Sequence, residues 1–185
     1  MAERTPPPAL DIEANRKTAN YTPGERRARL AWAAGRLVFS AIPRPFFGLR
    51  SAWLRLFGAK IGKHCQIYPT VRIFLPSQLE IGAWSAIGDR VSLYNLGAIR
   101  IGERVTVSQG AHLCAGTHDF RGPNMALVRA RITVGDEAWL CADSFVGPEV
   151  TIGARAVLGA RAVAVRDVAA GAIMAGNPAR QVGER

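Results

Sequence analysis

At 185 residues and 49 % apolar content, the chain has the length of one domain with a modest appendage and enough apolar material for a core. Its 24 basic and 14 acidic residues leave a net charge of +10, which admits nucleic acid, a membrane surface or a polyanionic small molecule, so where the charge lies decides more than its size. Cys65, Cys114 and Cys141 form no CxxC pair and are odd in number, which excludes a disulfide framework and reads as reduced apolar filling in a cytosolic protein.

Residues 1–21 are polar, contain Pro6-Pro7-Pro8 and show no periodicity, which predicts a flexible or surface-draped arm. The opening also carries Glu3, Asp11 and Glu13 without an apolar stretch, unlike a secretory signal. Thr22-Pro23-Gly24-Glu25 then has the form of a helix start, with a capping Thr, Pro at the first turn and Glu three residues past the cap. Leu30, Ala34, Leu37, Val38 and Ala41 share one face of the predicted helix, and Pro43 and Pro45 end it. A second helix is expected over about 46–57, with Phe46, Leu49, Trp53 and Leu56 on one side and Gly58 as its stop.

Residues 22–59 thus form a helical cap, and between Gly24 and Lys60 eight basic residues face one acid, Glu25, supplying +7 of the charge. Two readings stay open: a cap packed on the main domain with its arginines in water, or a basic, aromatic-rich contact with a membrane surface or a lipid-linked substrate. No nucleic-acid motif accompanies the charge. The longest uncharged run of this cap, Leu37 to Pro43, is far below the roughly 20 residues of a membrane span.

From Ile61 the pattern changes. Apolar residues recur every six positions, as Ile61, Ile67, Ile73, Leu79, then Ile81, Ile87, Leu93, Ile99, then Ile101, Val107, Leu113. The series resumes at Val134, Leu140, Val146, Ile152, Leu158 and Ala164, with glycine following many of these positions. A period of six is neither helix nor alternating strand; it marks a hexapeptide-repeat β-solenoid, each hexapeptide being one short strand and one turn. Glycine is expected in the turns for the backbone angles it tolerates. Starts at 61, 81 and 101 are 20 apart and those at 134 and 152 are 18 apart, giving about five coils over residues 60–172, a loop at 119–133 and a tail at 173–185.

Several stretches make the repeat more specific: Leu93-Tyr94-Asn95-Leu96-Gly97, Gly110-Ala111-His112-Leu113-Cys114, Gly116-Thr117-His118-Asp119-Phe120, Ala138-Trp139-Leu140 and Ala175-Gly176-Asn177-Pro178-Ala179-Arg180. With these, residues 60–181 resemble the left-handed β-helix acyltransferases, most closely the small acetyltransferases of exopolysaccharide (colanic-acid type) biosynthesis. The resemblance implies an all-β, left-handed parallel β-helix with an α-helical N-terminal extension. It further implies a homotrimer with sites between subunits, acetyl-CoA as co-substrate, no metal and a saccharide hydroxyl as acceptor. The expected location is the cytoplasm, peripheral at the inner membrane face if the cap touches lipid.

Site residues follow from the same resemblance. His118, 17 residues past the Ile101 coil start and at the base of the loop, matches the general base. Trp139 matches a tryptophan beside coenzyme A, and the N–H of Ala142 an amide that steadies the thioester oxygen. Gly159 and Ala160 match small residues along the pantetheine arm, and Arg166 and Arg180 match basic positions near the nucleotide phosphates. Asn95, with Leu93 as the competing match, stands for an asparagine on the acceptor side of the galactoside-type enzymes, and Asp119 is read as orienting the imidazole or touching the acceptor.

The chemistry suits these residue types. A thioester is already activated, so the hydroxyl needs only to lose its proton as it attacks, and a neutral imidazole takes protons well near neutral pH. No Gly-x-Ser-x-Gly elbow is present, so no acyl-enzyme is expected. His112 reads as part of the repeat and His64 as surface. Two competing readings are a zinc site of carbonic-anhydrase type on His64, His112 and His118, which requires convergence of all three on one point, and a non-catalytic scaffold.

Overall fold

The structure, a computed structural model, describes residues 9–185; the Pro6-Pro7-Pro8 part of the expected arm lies outside the described residues. Every apolar position of the six-residue series, from Ile61 to Ala164, is buried inside one triangular prism. Fully burying each such aliphatic side chain is worth about 1.5–3 kcal/mol, so the series itself is the driving force for coiling. The repeat forms strands of two or three residues stacked in parallel into three faces.

The first face stacks Lys60–Ile61, Leu79–Ile81, Ile99–Ile101, Ile132–Val134 and Thr151–Ile152. The second stacks Gln66–Ile67, Ala86–Ile87, Thr106–Val107, Trp139–Leu140, Val157–Leu158 and Ala172–Ala175, and the third Arg72–Ile73, Ser92–Tyr94, His112–Cys114, Phe145–Val146 and Val163–Ala164. Ile61, Ile81, Ile101, Val134 and Ile152 stand in one register, each on the next. The result is a left-handed parallel β-helix. Five coils are complete, and a partial sixth follows. Val168 bridges to Ile152, Ala172–Ala175 pairs with Val157–Leu158, and Arg180–Glu184 folds back antiparallel on it. The tail at 173–185 therefore belongs to the solenoid.

The turns correct one expectation. The glycine after each coil start keeps a negative or extended φ; the left-handed residue is two positions on and is His64, Trp84, Arg104, Glu137 or Arg155. Glycine is needed for another reason. A Cβ on Gly82 would stand 2.5 Å from the Gly102 carbonyl carbon of the next coil, and one on Gly135 2.5 Å from the Ala154 nitrogen. The coils approach too closely at this corner for any side chain, so close packing rather than backbone freedom selects glycine.

The two extra residues of the 20-residue coils sit at the corner between the third and first faces, where a 3-10 turn at Pro76–Gln78 and the stretch 95–98 widen the path. In the third coil the same corner is opened much further, into a hairpin of Gly116–His118 against Leu127–Arg129. The excursion thus begins before residue 119, and Ile132–Val134 is already back on the prism.

Three helices precede the prism: α1 (Ile12–Lys17), α2 (Pro23–Ala41) and α3 (Phe47–Leu56). The capping box of α2 is formed in both directions between Thr22 and Glu25. The buried faces differ from those expected. On α2 they are Trp32, Gly35 and Phe39, and on α3 Arg50, Ser51 and Leu54. Leu30, Leu37, Val38, Phe46, Leu49 and Leu56 are exposed. Packing against the first coil chose the aromatic stripe because it fits. Trp32 donates its ring N–H to the Ile73 carbonyl at 2.8 Å, Trp53 donates to the Gly35 carbonyl at 2.9 Å, and Gly35 leaves room for the Phe57 ring. Arg50, fully buried, donates to the carbonyls of Ile42, Pro43 and Ile67, tying the α2–α3 link to the prism.

Candidate active site

The hairpin that leaves the third coil carries His118 at the end of its outgoing strand, paired across to Leu127. Small residues let it leave. Ala115 and Ala130 are buried at its base, Ala130 N–H donates to the Ala115 carbonyl, and Gly97 packs against the Ala130 backbone with no room for a Cβ. The imidazole is exposed, and its Nδ1 lies 2.7 Å from the Met125 carbonyl oxygen. A carbonyl only accepts, so Nδ1 donates this bond, and in the neutral ring the lone pair is on Nε2. That is the tautomer a proton acceptor needs.

Of the two roles expected of Asp119, orienting the imidazole falls instead to the Met125 carbonyl. The Asp119 carboxylate accepts from the N–H groups of Arg121 (3.1 Å) and Gly122 (3.3 Å), shaping the hairpin tip. Asn95 also departs from its expected acceptor-side role. It is fully buried, its Oδ1 accepts from the N–H groups of Phe74 and Leu75 at 3.0 Å each, and its amide donates to the Leu75 carbonyl. A side chain so engaged holds the widened corner between coils and presents nothing to solvent.

The N-terminal stretch, expected as a flexible or surface-draped arm, is draped across the hairpin in its described part and carries α1. Asp11 N–H donates to the Pro123 carbonyl at 2.7 Å, and the Asn15 amide donates to the carbonyls of Asn124 (2.7 Å) and Met125 (2.9 Å). At the other end Arg129 reaches both carboxylate oxygens of Glu25 and the Asn20 carbonyl. Arg129 holds the Glu25 carboxyl well below the usual range, at about 2, and the Thr22 N–H adds to the effect. Asn15, Glu25, Arg129 and the Met125 carbonyl were missed in the sequence. Only Glu25 had a signal, and its capping box accounted for it completely.

Trp139 stands outward on the second face, 46 % exposed, with its ring N–H on the Ser108 hydroxyl at 2.9 Å. The Ala142 N–H, at the following corner, has no acceptor among the described residues, although the N–H groups of Cys141 and Asp143 on either side are bonded. Gly159 and Ala160 occupy the same corner one coil on, where a Cβ on Gly159 would stand 2.8 Å from the Met174 carbonyl. Arg166 and Arg180 border one small concavity near the end of the solenoid.

These residues form two groups. His118 rises from the corner between the third and first faces, whereas Trp139, Ala142, Gly159 and Ala160 lie on the second face or its corner with the third. The width of the third face separates them. A concavity of about 710 Å³ runs along the first face between Arg55 and Asp136 and is lined by none of them. The three histidines are also apart: His64 stacks on Trp84 at 4.1 Å, and His112 lies half-buried edge-on to Phe145, burial pushing its pKa down. Among the described residues no three His, Cys, Asp or Glu side chains gather as metal ligands would.

A hexapeptide prism does not by itself fix an activity, and comparison with known proteins supplies the class. The chain is 40 % identical over 159 residues to an Escherichia coli (strain K12) protein named as a colanic acid biosynthesis acetyltransferase, WcaF, covering 86 % of this chain and 87 % of that one. A galactoside acetyltransferase solved in complex with coenzyme A superposes with a TM-score of 0.82 at 22 % identity, covering 94 % of this chain and 88 % of that one. A hexapeptide-repeat acetyltransferase of Vibrio cholerae solved with acetyl coenzyme A gives 0.80 at 22 % identity, over 89 % and 91 % of the two chains. No family model matches the chain. The chain belongs to the hexapeptide-repeat acetyltransferase family and is an acetyltransferase.

Proposed function

We propose that the protein transfers an acetyl group from acetyl-CoA to a hydroxyl of a sugar or saccharide precursor, with His118 as general base and no acyl-enzyme. The observation that carries this reading is the fixed imidazole: Nδ1–H on the Met125 carbonyl and Nε2 free at an exposed edge. Nε2 takes the hydroxyl proton as the oxygen attacks the thioester carbonyl carbon. The resulting tetrahedral oxyanion is steadied by the Ala142 N–H. On collapse the C–S bond breaks and the imidazolium returns its proton to the sulfur, so the products are the acetyl ester and free coenzyme A. The outward Trp139 ring offers a wall for the pantetheine arm, the tight Gly159–Ala160 corner lets it approach the backbone, and Arg166 and Arg180 suit the nucleotide phosphates.

The separation of His118 from the Trp139 group supports a site completed by a neighbouring copy, as in a homotrimer of parallel prisms. In that arrangement the hairpin of one subunit faces the second-face corner of the next. The kinship with a colanic acid biosynthesis enzyme and the coenzyme A complexes of the structural neighbours support the donor and the saccharide acceptor. The zinc reading needs three histidines on one point, and the fold holds them apart.

The test is coenzyme A release from acetyl-CoA across a panel of sugar acceptors, with His118→Ala beside the wild type. Acceptor-dependent release that the variant loses supports the reading. Release unchanged in His118→Ala would sink the assignment of the base. Mixing His118→Ala with Trp139→Ala subunits examines the shared site: random reassembly should give about a quarter of the sites the wild-type KM for acetyl-CoA, and activity showing only the raised KM of Trp139→Ala would place both groups on one chain's site.

A further inference from the structure

The helical cap has two apolar faces, and only one of them is used. On α2 the buried set is Trp32, Gly35 and Phe39. At about 100° per residue, Leu30 and Leu37 fall on the opposite side of the helix and are 74 % and 71 % exposed, with Val38 on the flank. On α3 the buried set is Arg50, Ser51 and Leu54, and Leu49 and Leu56 stand opposite, 57 % and 73 % exposed. A helix packed on a prism with its far side in water carries polar residues there. Both helices of this cap carry leucine instead, and Phe46 at the start of α3 adds an exposed ring.

The charge around this outward face has one sign. Arg26, Arg27 and Arg36 form no ion pair with a carboxylate among the described residues. The cap's single acid, Glu25, is already taken by Arg129. A shallow concavity bounded by Arg26, Arg29, Leu30 and Ala33 brings arginine and aliphatic side chains together, with the Arg29 guanidinium stacked over the Tyr21 and Phe74 rings at its edge. That combination fits a phosphate at the depth where hydrocarbon begins. No helix of the described residues is long and apolar enough to cross a membrane, so the contact would be one of helices lying in the surface.

We propose that the outward face of α2 and α3 docks the protein on an anionic phospholipid bilayer. The leucines enter below the headgroups, and the arginines, on long stems that reach back toward water, pair with phosphates. A surface of this make-up favours lipid over a protein partner because its leucines are spread over two helices and rimmed by a single sign of charge. The inference stands independently of the acetyl-transfer reading, since it uses none of the residues assigned to the reaction.

The experiment is co-sedimentation of the full chain with vesicles of phosphatidylcholine alone and with vesicles containing phosphatidylglycerol, at low and high salt. It compares the wild type with Leu37→Glu/Leu56→Glu and with Arg26→Glu/Arg27→Glu. Wild type should pellet with the anionic vesicles, weakly with the neutral ones, and less as salt rises. Each double variant should lose at least about tenfold in partitioning, while its melting temperature, its solution mass and its coenzyme A release stay those of the wild type. Failure of the wild type to bind anionic vesicles overturns the proposal, as does binding that neither double variant weakens. A drop in solution mass in the leucine variant, without vesicle binding by the wild type, would make this face an interface between copies and equally overturn it.

Discussion

Asn15 and His118 share one acceptor: the Met125 carbonyl oxygen receives the Asn15 amide at 2.9 Å and the His118 Nδ1–H at 2.7 Å. A residue of the first helix thereby helps fix the carbonyl that sets the imidazole. Met125 itself sits in the left-handed region at φ 43°, a conformation the surrounding bonds must hold in place. Asn15→Ala removes one brace from that carbonyl without touching the ring. Losing one such bond should lower kcat about two- to tenfold, with the KM for acetyl-CoA unchanged; a changed KM would assign Asn15 to donor binding.

Removal of the base itself has a larger effect. His118→Ala should reduce kcat by about 10²–10⁴-fold, the usual contribution of a positioned base. Because the imidazole is exposed on a hairpin, the melting temperature should stay within error of wild type, and thermal unfolding beside steady-state kinetics checks both halves of the statement.

Docking of the arm has its own pH window. Glu25 is lowered from 4.5 to about 2 in the folded chain, chiefly by Arg129. A carboxyl lowered on folding stabilises fully above its unfolded pKa and loses that contribution as pH falls through the folded one. The Glu25–Arg129 link should therefore be complete above about pH 4.5 and fade between there and about 2. In Glu25→Gln, melting temperature against pH should lose the part of the acid slope that falls in this window.

Two glycines should respond in opposite directions. At Gly97 a Cβ would meet the Ala130 carbonyl at the root of the hairpin, so Gly97→Ala should destabilise by about 1–3 kcal/mol and also lower activity by shifting that root. At Gly48, inside α3, nothing lies within 4 Å, so Gly48→Ala should stabilise by about 0.5–1 kcal/mol with activity unchanged. Denaturant melts of both variants measure the difference.

Trp139 is half in solvent and gives the prism little beyond its bond to Ser108. Trp139→Ala should therefore raise the KM for acetyl-CoA several-fold, about what one lost aromatic contact costs, and leave the melting temperature nearly unchanged. A fall in stability with no change in KM would make the ring a packing residue.

The sequence by itself determined the prism. A coil of three hexapeptides repeats the same side chain at the same corner, so each Ile, Leu or Val of the series predicts its own burial, and all of them are buried. The interruption of the series between Leu113 and Val134 likewise announced an excursion, read as a loop at 119–133, because a chain that leaves a periodic path drops its period; the fold makes it a hairpin that starts at Gly116. Tertiary structure decided the rest. The apolar stripe of α2 was legible but faces outward, since helical period identifies an apolar face and only packing against Ile73 and Phe57 chose Trp32 and Phe39 over Leu30 and Leu37. Asn95 and Asp119 look like site residues in sequence and are bound to backbone in the fold. The bond from Asn15 to Met125 joins residues 110 apart, a relation that no local pattern encodes because it exists only once the arm lies across the hairpin.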